Sequence, residues 1–234
     1  MMHMIVQDTW VTLGAGGGGG LWWLFSQSFD LFTVLLVAGS VLGLAWVFRA
    51  VLEVRESAIV PLRSVAIMTE MAESGRWGEL AGFLQRDDAM PARIVKAAMS
   101  RREQGKDAMR ELAELTASEE SSRWFRRVEM LNVIGNLGPL VGLAGTVWGM
   151  IIAFTTLGES GGQAGPTDLS MGISKALFHT LLGLCLAIPC LLAYGIYRGV
   201  IDRHCTRAMI VAAKVIEVCP AGEGAESGET VGAA

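Results

Sequence analysis

The chain has 234 residues, of which 52% are hydrophobic and 18% are charged, and its formal net charge at pH 7 is −4. The charged residues lie in blocks separated by long apolar stretches, a pattern typical of an integral membrane protein with one water-exposed portion. The sequence contains no Walker loop, dinucleotide fingerprint, nucleophile elbow or HExxH motif, so we expect no enzymatic activity and no cofactor. The four cysteines lack the spacing of a metal site, and we expect no metal.

The N-terminal part of the chain predicts an external arm followed by a membrane span. Residues 1–28 carry no Lys or Arg, so we identify no secretory signal in them. A run of glycines and a Trp pair indicate a flexible linker and an interfacial segment. The first span is predicted at 29–48, with Asp30 at its N-terminal end, where a carboxylate suits the helix dipole.

Residues 49–127 form a charged block with helical periodicity, which predicts a cytoplasmic helical domain. Pro91 falls where a first-turn proline of a helix is expected. From Asp107 onward the helical pattern continues into the second span without a break. A continuous helix from there to Leu157 would have about 50 residues and a length of about 75 Å. The sequence shows no β-strand periodicity and therefore predicts an all-α protein.

The second span is predicted at 128–157, and its portion from Met130 onward contains no Lys, Arg, Asp or Glu. This portion is longer than the roughly 20 apolar residues that cross a bilayer. Five glycines recur at steps of three and four residues, which places them on one helix face: Gly135, Gly138, Gly142, Gly145 and Gly149. In lipid, such a stripe lets neighbouring helices approach closely. We interpret the stripe as packing surface, with the hydroxyl of Thr146 beside it.

The remaining chain predicts an external turn at 158–168, a third span at 169–197, a cytoplasmic helix at 198–219 and a disordered tail at 220–234. Pro189 is expected to kink the third span or to open a gap in its backbone hydrogen bonds.

The basic residues predict the orientation in the membrane. Of the 19 Lys and Arg residues, 14 lie in 49–127 and 4 in 198–214, and the last is Lys175 inside the third span. Basic residues favour the cytoplasmic side. We therefore expect the N-terminus outside and the C-terminus in the cytoplasm of a multi-pass inner-membrane protein.

This layout resembles the ExbB/TolQ/MotA proton-channel family, and its ExbB/TolQ branch most. The second span contains the string Gly138-Pro139 followed by VGLAGTVWGM. The third span contains Gly172-Ile173, then Thr180 and Gly183, and then Ala187-Ile188-Pro189. Both strings lie on the corresponding spans and in the same order as in that family.

The resemblance implies a homo-oligomeric ring, a pentamer, around the single membrane helix of an ExbD/TolR-like partner that carries a transmembrane aspartate. It implies proton flow between that aspartate and pore threonines, which match Thr146 and Thr180 here, and energy transmission to the cell envelope. The expected partners of the protein also include membrane lipid, and we expect no nucleic acid among them. A hydroxyl both donates and accepts hydrogen bonds, which suits that role.

Two further residues are candidates for the ion pathway. Lys175 stands where the family pattern usually has a glutamate, and a charge inside a span is a candidate functional site. It can instead snorkel toward the outer membrane surface. His179 can relay protons, or it can form a structural hydrogen bond across a subunit interface.

The sequence leaves two functional hypotheses. The first is the ring subunit of a motor driven by an ion gradient. The second is a non-conducting membrane scaffold with the same fold, in which Lys175 marks the loss of ion flow.

Overall fold

The computed structural model of the chain describes residues 29–159 and 165–220. Every regular element in these two ranges is helical, which confirms the all-α fold class. In chain order they are α1 (Leu31–Glu53), α2 (Glu56–Ile59), α3 (Leu62–Glu73), α4 (Trp77–Arg86), α5 (Met90–Met99), a 3-10 turn (Arg102–Gln104), α6 (Lys106–Glu159) and α7 (Pro166–Val218).

Three helices, α1, α6 and α7, are long and apolar enough to cross a membrane, as predicted. The predicted continuity of the second span with the helix before it is confirmed, because α6 runs through 54 residues. Likewise α7 runs through 53 residues. Pro139 and Pro189 lie inside these helices and end neither of them. The predicted N-terminal arm and nearly all of the predicted tail lie outside the described residues.

The turn between the second and third spans is shorter than the sequence pattern indicated. Helix α6 ends at Glu159, two residues beyond the predicted end, and α7 begins at Pro166, three residues before the predicted start. Proline is favourable in the first turn of a helix, because the N–H that it lacks would have no intrahelical partner there. Residues 160–164 lie outside the described residues.

The chain divides into two compact units, and each is described by itself. We call the first the membrane unit: it takes the residues up to Val47 together with Leu131–Ala193. We call the second the charged unit: it takes Phe48–Met130 and the residues from Tyr194 onward.

The core of the charged unit is built from large apolar side chains on short helices. Helices α3, α4 and α5 pack against one another, and Met68, Leu80 and Ile94 are at most 2% exposed. Asp87 joins these helices: its Oδ1 accepts a hydrogen bond from the Ala89 amide at 2.9 Å, and Ser64 Oγ donates to its Oδ2. Gly105, whose φ is +98°, turns the chain just before α6 begins. Pro91 lies in the first turn of α5, which confirms that prediction.

Candidate ion-pathway site

The five glycines of the stripe in α6 face α7. A Cβ atom added to Gly138 would lie 2.9 Å from the carbonyl oxygen of Gly183, and one added to Gly142 would lie 2.8 Å from the carbonyl oxygen of His179. A Cβ atom on Gly145 would lie 2.8 Å from the Cβ of His179. Real side chains do not approach backbone so closely. The two helices therefore meet along a face that excludes side chains.

The contacts at both ends of the stripe fix the direction of the pair. Gly135 lies against Leu191, and Gly149 lies against Ala176. As the residue number in α6 increases, the number of the residue that it contacts in α7 decreases. The two helices are therefore antiparallel in the membrane unit. Pro139 is half-buried, and Pro189 is exposed on this chain.

Helix α1 packs on the same part of α7 through two glycines. A Cβ atom on Gly39 would lie 3.0 Å from a methyl group of Leu186, and one on Gly43 would lie 2.7 Å from the sulfur of Cys190. Leu36, one turn before Gly39 on α1, is 1% exposed. The first span therefore has one buried face and one exposed face, and it runs parallel to α7.

His179 forms a polar cluster with the start of α1. Its Nε2 lies 3.0 Å from Asp30 Oδ1 and 3.1 Å from Thr33 Oγ1. The same Asp30 oxygen accepts the Thr33 amide hydrogen at 2.9 Å and so caps α1. This cap agrees with the predicted role of Asp30 at the helix N-terminus. The hydrogen bonds of Nε2 lie within one chain and join residues 149 and 146 positions apart.

The surroundings of His179 leave its ring almost completely buried. The residue is 1% exposed, and the ring of Phe32 meets it edge-on with centroids 6.3 Å apart. On the α6 side, the lack of a side chain at Gly145 makes room for the imidazole. Within the described residues, His179 Nδ1 is a buried polar side-chain atom that has no hydrogen-bond partner.

The two predicted pore threonines lie on neighbouring parts of α6 and α7. A Cβ atom on Gly142, one turn before Thr146, would lie 3.2 Å from the Cα of Thr180. Both threonines are half-buried. Thr146 Oγ1 donates a hydrogen bond to the Leu143 carbonyl at 2.6 Å, which leaves the lone pairs of its oxygen available.

Thr146 also borders an open depression on α6, away from the glycine contacts. The depression is lined by Thr146, Val147, Met150, Ile151, Phe154 and Thr155. Of these, Val147, Ile151 and Phe154 are about half exposed in a single chain. We call this surface the open face of α6. It is apolar with a hydroxyl at each end, as expected for a helix that faces either lipid or another membrane helix.

Lys175 is half-buried on α7, one turn before His179. The four predicted pathway residues therefore do not share one site. Thr180 lies against Gly142 of α6, Thr146 lies one turn further along α6, and His179 points into the cluster with α1. Sequence reasoning missed Thr33 and the partnership of Asp30 with His179. The available signal was the Asp-x-x-Thr pattern at the entry of the first span, which is also the pattern of an ordinary helix cap.

Comparisons with known proteins agree with this architecture. The chain is similar to an ExbB protein of Helicobacter pylori, at 45% identity over 30% of this chain and 48% of that protein. It is similar to a TolQ protein of Haemophilus influenzae, at 41% identity over 30% of each chain. An ExbB of Pseudomonas putida matches over 68% of this chain at 29% identity. The matches span about a third to a half of the relatives' lengths.

The fold also matches a solved structure, that of C. jejuni MotAB, with a TM-score of 0.52 and 17% identity over 93% of this chain and 86% of the other. At this identity the likeness concerns the fold. The family model described as "MotA/TolQ/ExbB proton channel family" matches residues 86–209, which is more than half of the chain. The chain belongs to the MotA/TolQ/ExbB proton channel family.

Proposed function

We propose that this protein is the ring subunit of an inner-membrane motor driven by an ion gradient. The observation that carries the proposal is the division of α6 into two faces. The glycine face is filled by α7 of the same chain, whereas the open face presents Thr146 and Thr155 among apolar side chains. In a ring of subunits, a face of this kind that bears hydroxyl groups suits packing against another membrane helix inside the ring.

The occupant of the ring in this proposal is one or more single-span helices of an ExbD/TolR-like partner with a carboxylate in the span. No carboxylate lies between Met130 and Leu157 or between Leu169 and Tyr197. In this proposal the carboxylate that binds and releases the transported proton comes from the partner. Thr146 and Thr180 would hydrate or hydrogen-bond that carboxylate, since hydroxyls do this without a buried charge of their own.

The subunits would form a pentamer with the N-terminus outside and the C-terminus in the cytoplasm, and the motor would transmit energy to the cell envelope. The orientation follows from the basic residues, which lie almost entirely in the charged unit. Lys175 and His179 are assigned to the outer part of the pathway. Lys175 would influence ion entry by its charge, and His179 would act from its cluster beside the pathway.

A non-conducting scaffold of the same fold is the alternative, and one residue favours it. Lys175 brings a positive charge into a span in which the family pattern usually has a glutamate. A fixed positive charge repels incoming cations unless a nearby carboxylate balances it.

The test is proton flux into liposomes that contain the protein with and without its single-span partner. We expect partner-dependent flux in wild type and at least a tenfold loss in the double variant Thr146→Val/Thr180→Val, because valine keeps the shape and removes the hydroxyl. Thr116→Val is the matched control. Thr116 also bonds to its own helix, at 2.7 Å to the Leu112 carbonyl, but lies on α6 in the charged unit.

The outcomes separate the two hypotheses. Flux that persists in the double variant would overturn the assignment of the threonines. Absence of flux in wild type from a well-formed ring, together with flux in Lys175→Glu, would establish the scaffold. Loss of flux in Thr116→Val as well would mean that removal of any hydroxyl of this kind disturbs the assembly, and the pathway assignment would fail.

A further inference from the structure

The cluster of Asp30, Thr33 and His179 has the composition of a proton-binding site. It combines a carboxylate, a hydroxyl and an imidazole within hydrogen-bond distance of one nitrogen, Nε2 of His179. Imidazole is the side chain whose ordinary titration range includes neutral pH. The cluster lies at the end of the membrane unit where α1 begins, and it joins α1 to α7.

The carboxylate determines which tautomer the histidine adopts. Nε2 lies 3.0 Å from Asp30 Oδ1, and that distance is favourable only if Nε2 carries a hydrogen, because two lone pairs would repel each other. In the neutral ring the hydrogen is therefore on Nε2, and Nδ1 holds a lone pair. A further proton can bind only at Nδ1.

A second, independent observation concerns Nδ1 itself. This atom is buried and has no hydrogen-bond partner in the described structure, while its side chain is 2% exposed. Buried polar atoms without partners are rare in native proteins and call for an explanation. With no donor bonded to it, the Nδ1 lone pair is free to accept a proton.

The charges around the ring favour that proton. With a neutral ring, the pair carries the single negative charge of Asp30 beside an almost completely buried imidazole. With a charged ring, the pair is neutral overall and the carboxylate faces an opposite charge at 3.0 Å. Helix α6 contributes no charge here, since it presents Gly145 and has no ionisable residue between Met130 and Gly158.

Among the described residues, the other charged side chain in this part of α7 is Lys175, one turn before His179, and the charged residue where α1 begins is Asp30. Lys175 disfavours a second positive charge nearby, whereas Asp30 favours it. Asp30 is also in direct contact with the ring, so its effect is the stronger one.

We propose that Asp30 and His179 bind one exchangeable proton at the entry of α1, at a site separate from the threonines Thr146 and Thr180. Asp30 forms the outer side of this pair, with its side chain 34% exposed. The bound state is an imidazolium–carboxylate pair that holds the start of α1 on α7. Release of the proton leaves a neutral imidazole and the Asp30 carboxylate.

The experiment is a pH titration of 15N-histidine-labelled full-length protein in lipid bilayers, with the imidazole nitrogens observed by solid-state NMR. The chain has three histidines, so His179→Gln and His204→Gln assign the signals. We expect the His179 Nδ1 signal to change between pH 4 and 9 as the ring gains a proton. In Asp30→Asn this change should occur at a different pH from wild type, because an opposite charge in contact with the ring is lost.

Asp30→Asn is chosen because asparagine caps helices as well as aspartate does and retains an oxygen that can accept the Nε2 hydrogen. It therefore removes the charge while it preserves the cap. The matched control is Glu159→Gln, which removes an exposed carboxylate from the end of α6 in the same unit. The His179 signal of this variant should change as in wild type, because exposed charges are screened.

Two results would overturn the proposal: a His179 ring that keeps one protonation state from pH 4 to 9, or the same midpoint in wild type and Asp30→Asn. The measurement does not depend on His179→Gln folding, because the double variant His3→Gln/His204→Gln carries the His179 signal alone. It needs no partner subunit and no ion flux, so its outcome is independent of the proposed motor function.

Discussion

The helices pack against one another in opposite ways in the two units of the chain. In the membrane unit, helices meet where side chains are missing, as at Gly138 and Gly183, whose backbones are in contact. In the charged unit, helices meet through large side chains such as Leu80 and Ile94, which are 0% and 2% exposed. The difference follows from the solvent: water drives large apolar side chains together, whereas lipid does not.

The polar groups differ between the units as well. The charged unit has ion pairs on its surface, such as Arg110 with Glu217 at 2.8 Å and Arg76 with Glu70 at 3.0 Å. Among the described residues, the membrane unit has instead a cluster of Asp30, Thr33 and His179, in which the histidine and threonine are buried. A surface ion pair contributes little to stability, whereas a buried polar group must be matched to its partners. The membrane cluster therefore depends more strongly on its hydrogen-bond geometry than the surface ion pairs do.

The largest effect on stability is expected from truncation in the core of the charged unit. Leu80→Ala should lower the free energy of unfolding by about 2–5 kcal/mol, because it removes buried apolar surface and leaves a cavity. Denaturant unfolding of the full chain in detergent measures this. Leu62→Ala is the control, since Leu62 is 65% exposed. Equal effects of the two substitutions would contradict the assignment of the core.

A smaller loss of stability is expected when a methyl group is added where two helices of the membrane unit are in contact. In Gly183→Ala the new methyl group would lie 2.6 Å from the Gly138 carbonyl oxygen, so α6 and α7 must separate. Overpacking of this kind costs about 1–3 kcal/mol. Thermal unfolding and the elution volume of the detergent-solubilised protein are the measurements.

The matched control for this prediction is Gly82→Ala on α4 of the charged unit, where an added methyl group would meet nothing within 4 Å. That variant should gain up to about 1 kcal/mol, because alanine favours helix more than glycine does. The opposite signs of the two substitutions are the sharpest test of the difference between the units. A Gly183→Ala protein that is more stable than wild type would contradict the proposed difference in packing between the two units.

The smallest effect is expected at the surface of the charged unit and depends on pH. The hydrogen bond from Arg110, with the charges of Lys106 and Arg110, holds the pKa of Glu217 below its ordinary value of 4.5. Folding is then favoured by this group above that value, and the contribution is lost as pH falls through the lowered pKa.

Hydrogen exchange near the C-terminal end of α7 measures this effect. Wild type should lose protection there between about pH 5 and pH 3, whereas Glu217→Gln should show a flatter profile. Glu111→Gln, which changes an exposed carboxylate on α6, is the control. High salt should reduce the difference between wild type and Glu217→Gln, because exposed charges are screened. Identical profiles for wild type and Glu217→Gln would contradict the assignment.

Much of the fold could be predicted from the sequence because the relevant signals are local. The absence of charge after Met130 indicated the second span, and the uninterrupted helical pattern before it indicated the long α6. The position of Pro91 indicated the start of a helix, and α5 begins one residue before it. The five-glycine stripe indicated one face of a helix, and all five glycines lie against α7 or its side chains.

The partners within the site could not be predicted in the same way. Helical periodicity shows which residues share a face, but not which helix covers that face or in what register. His179 therefore offered two roles, a relay or a contact between subunits, while its bonds to Asp30 and Thr33 depend on the position of α1 beside α7. Thr33 offered only the Asp-x-x-Thr pattern, which is also the pattern of an ordinary helix cap.

By itself the sequence determined three membrane-length helices, the small-residue face of α6 and the family resemblance, since composition and spacing along one chain encode all of these. The tertiary structure alone decided that α1 runs parallel to α7, that Thr180 lies next to Gly142, and that Asp30, Thr33 and His179 form one cluster. Contacts between residues more than 140 positions apart depend on how closely two backbones approach. In this membrane unit the backbones can approach closely because glycines, which have no side chain, lie where the helices meet.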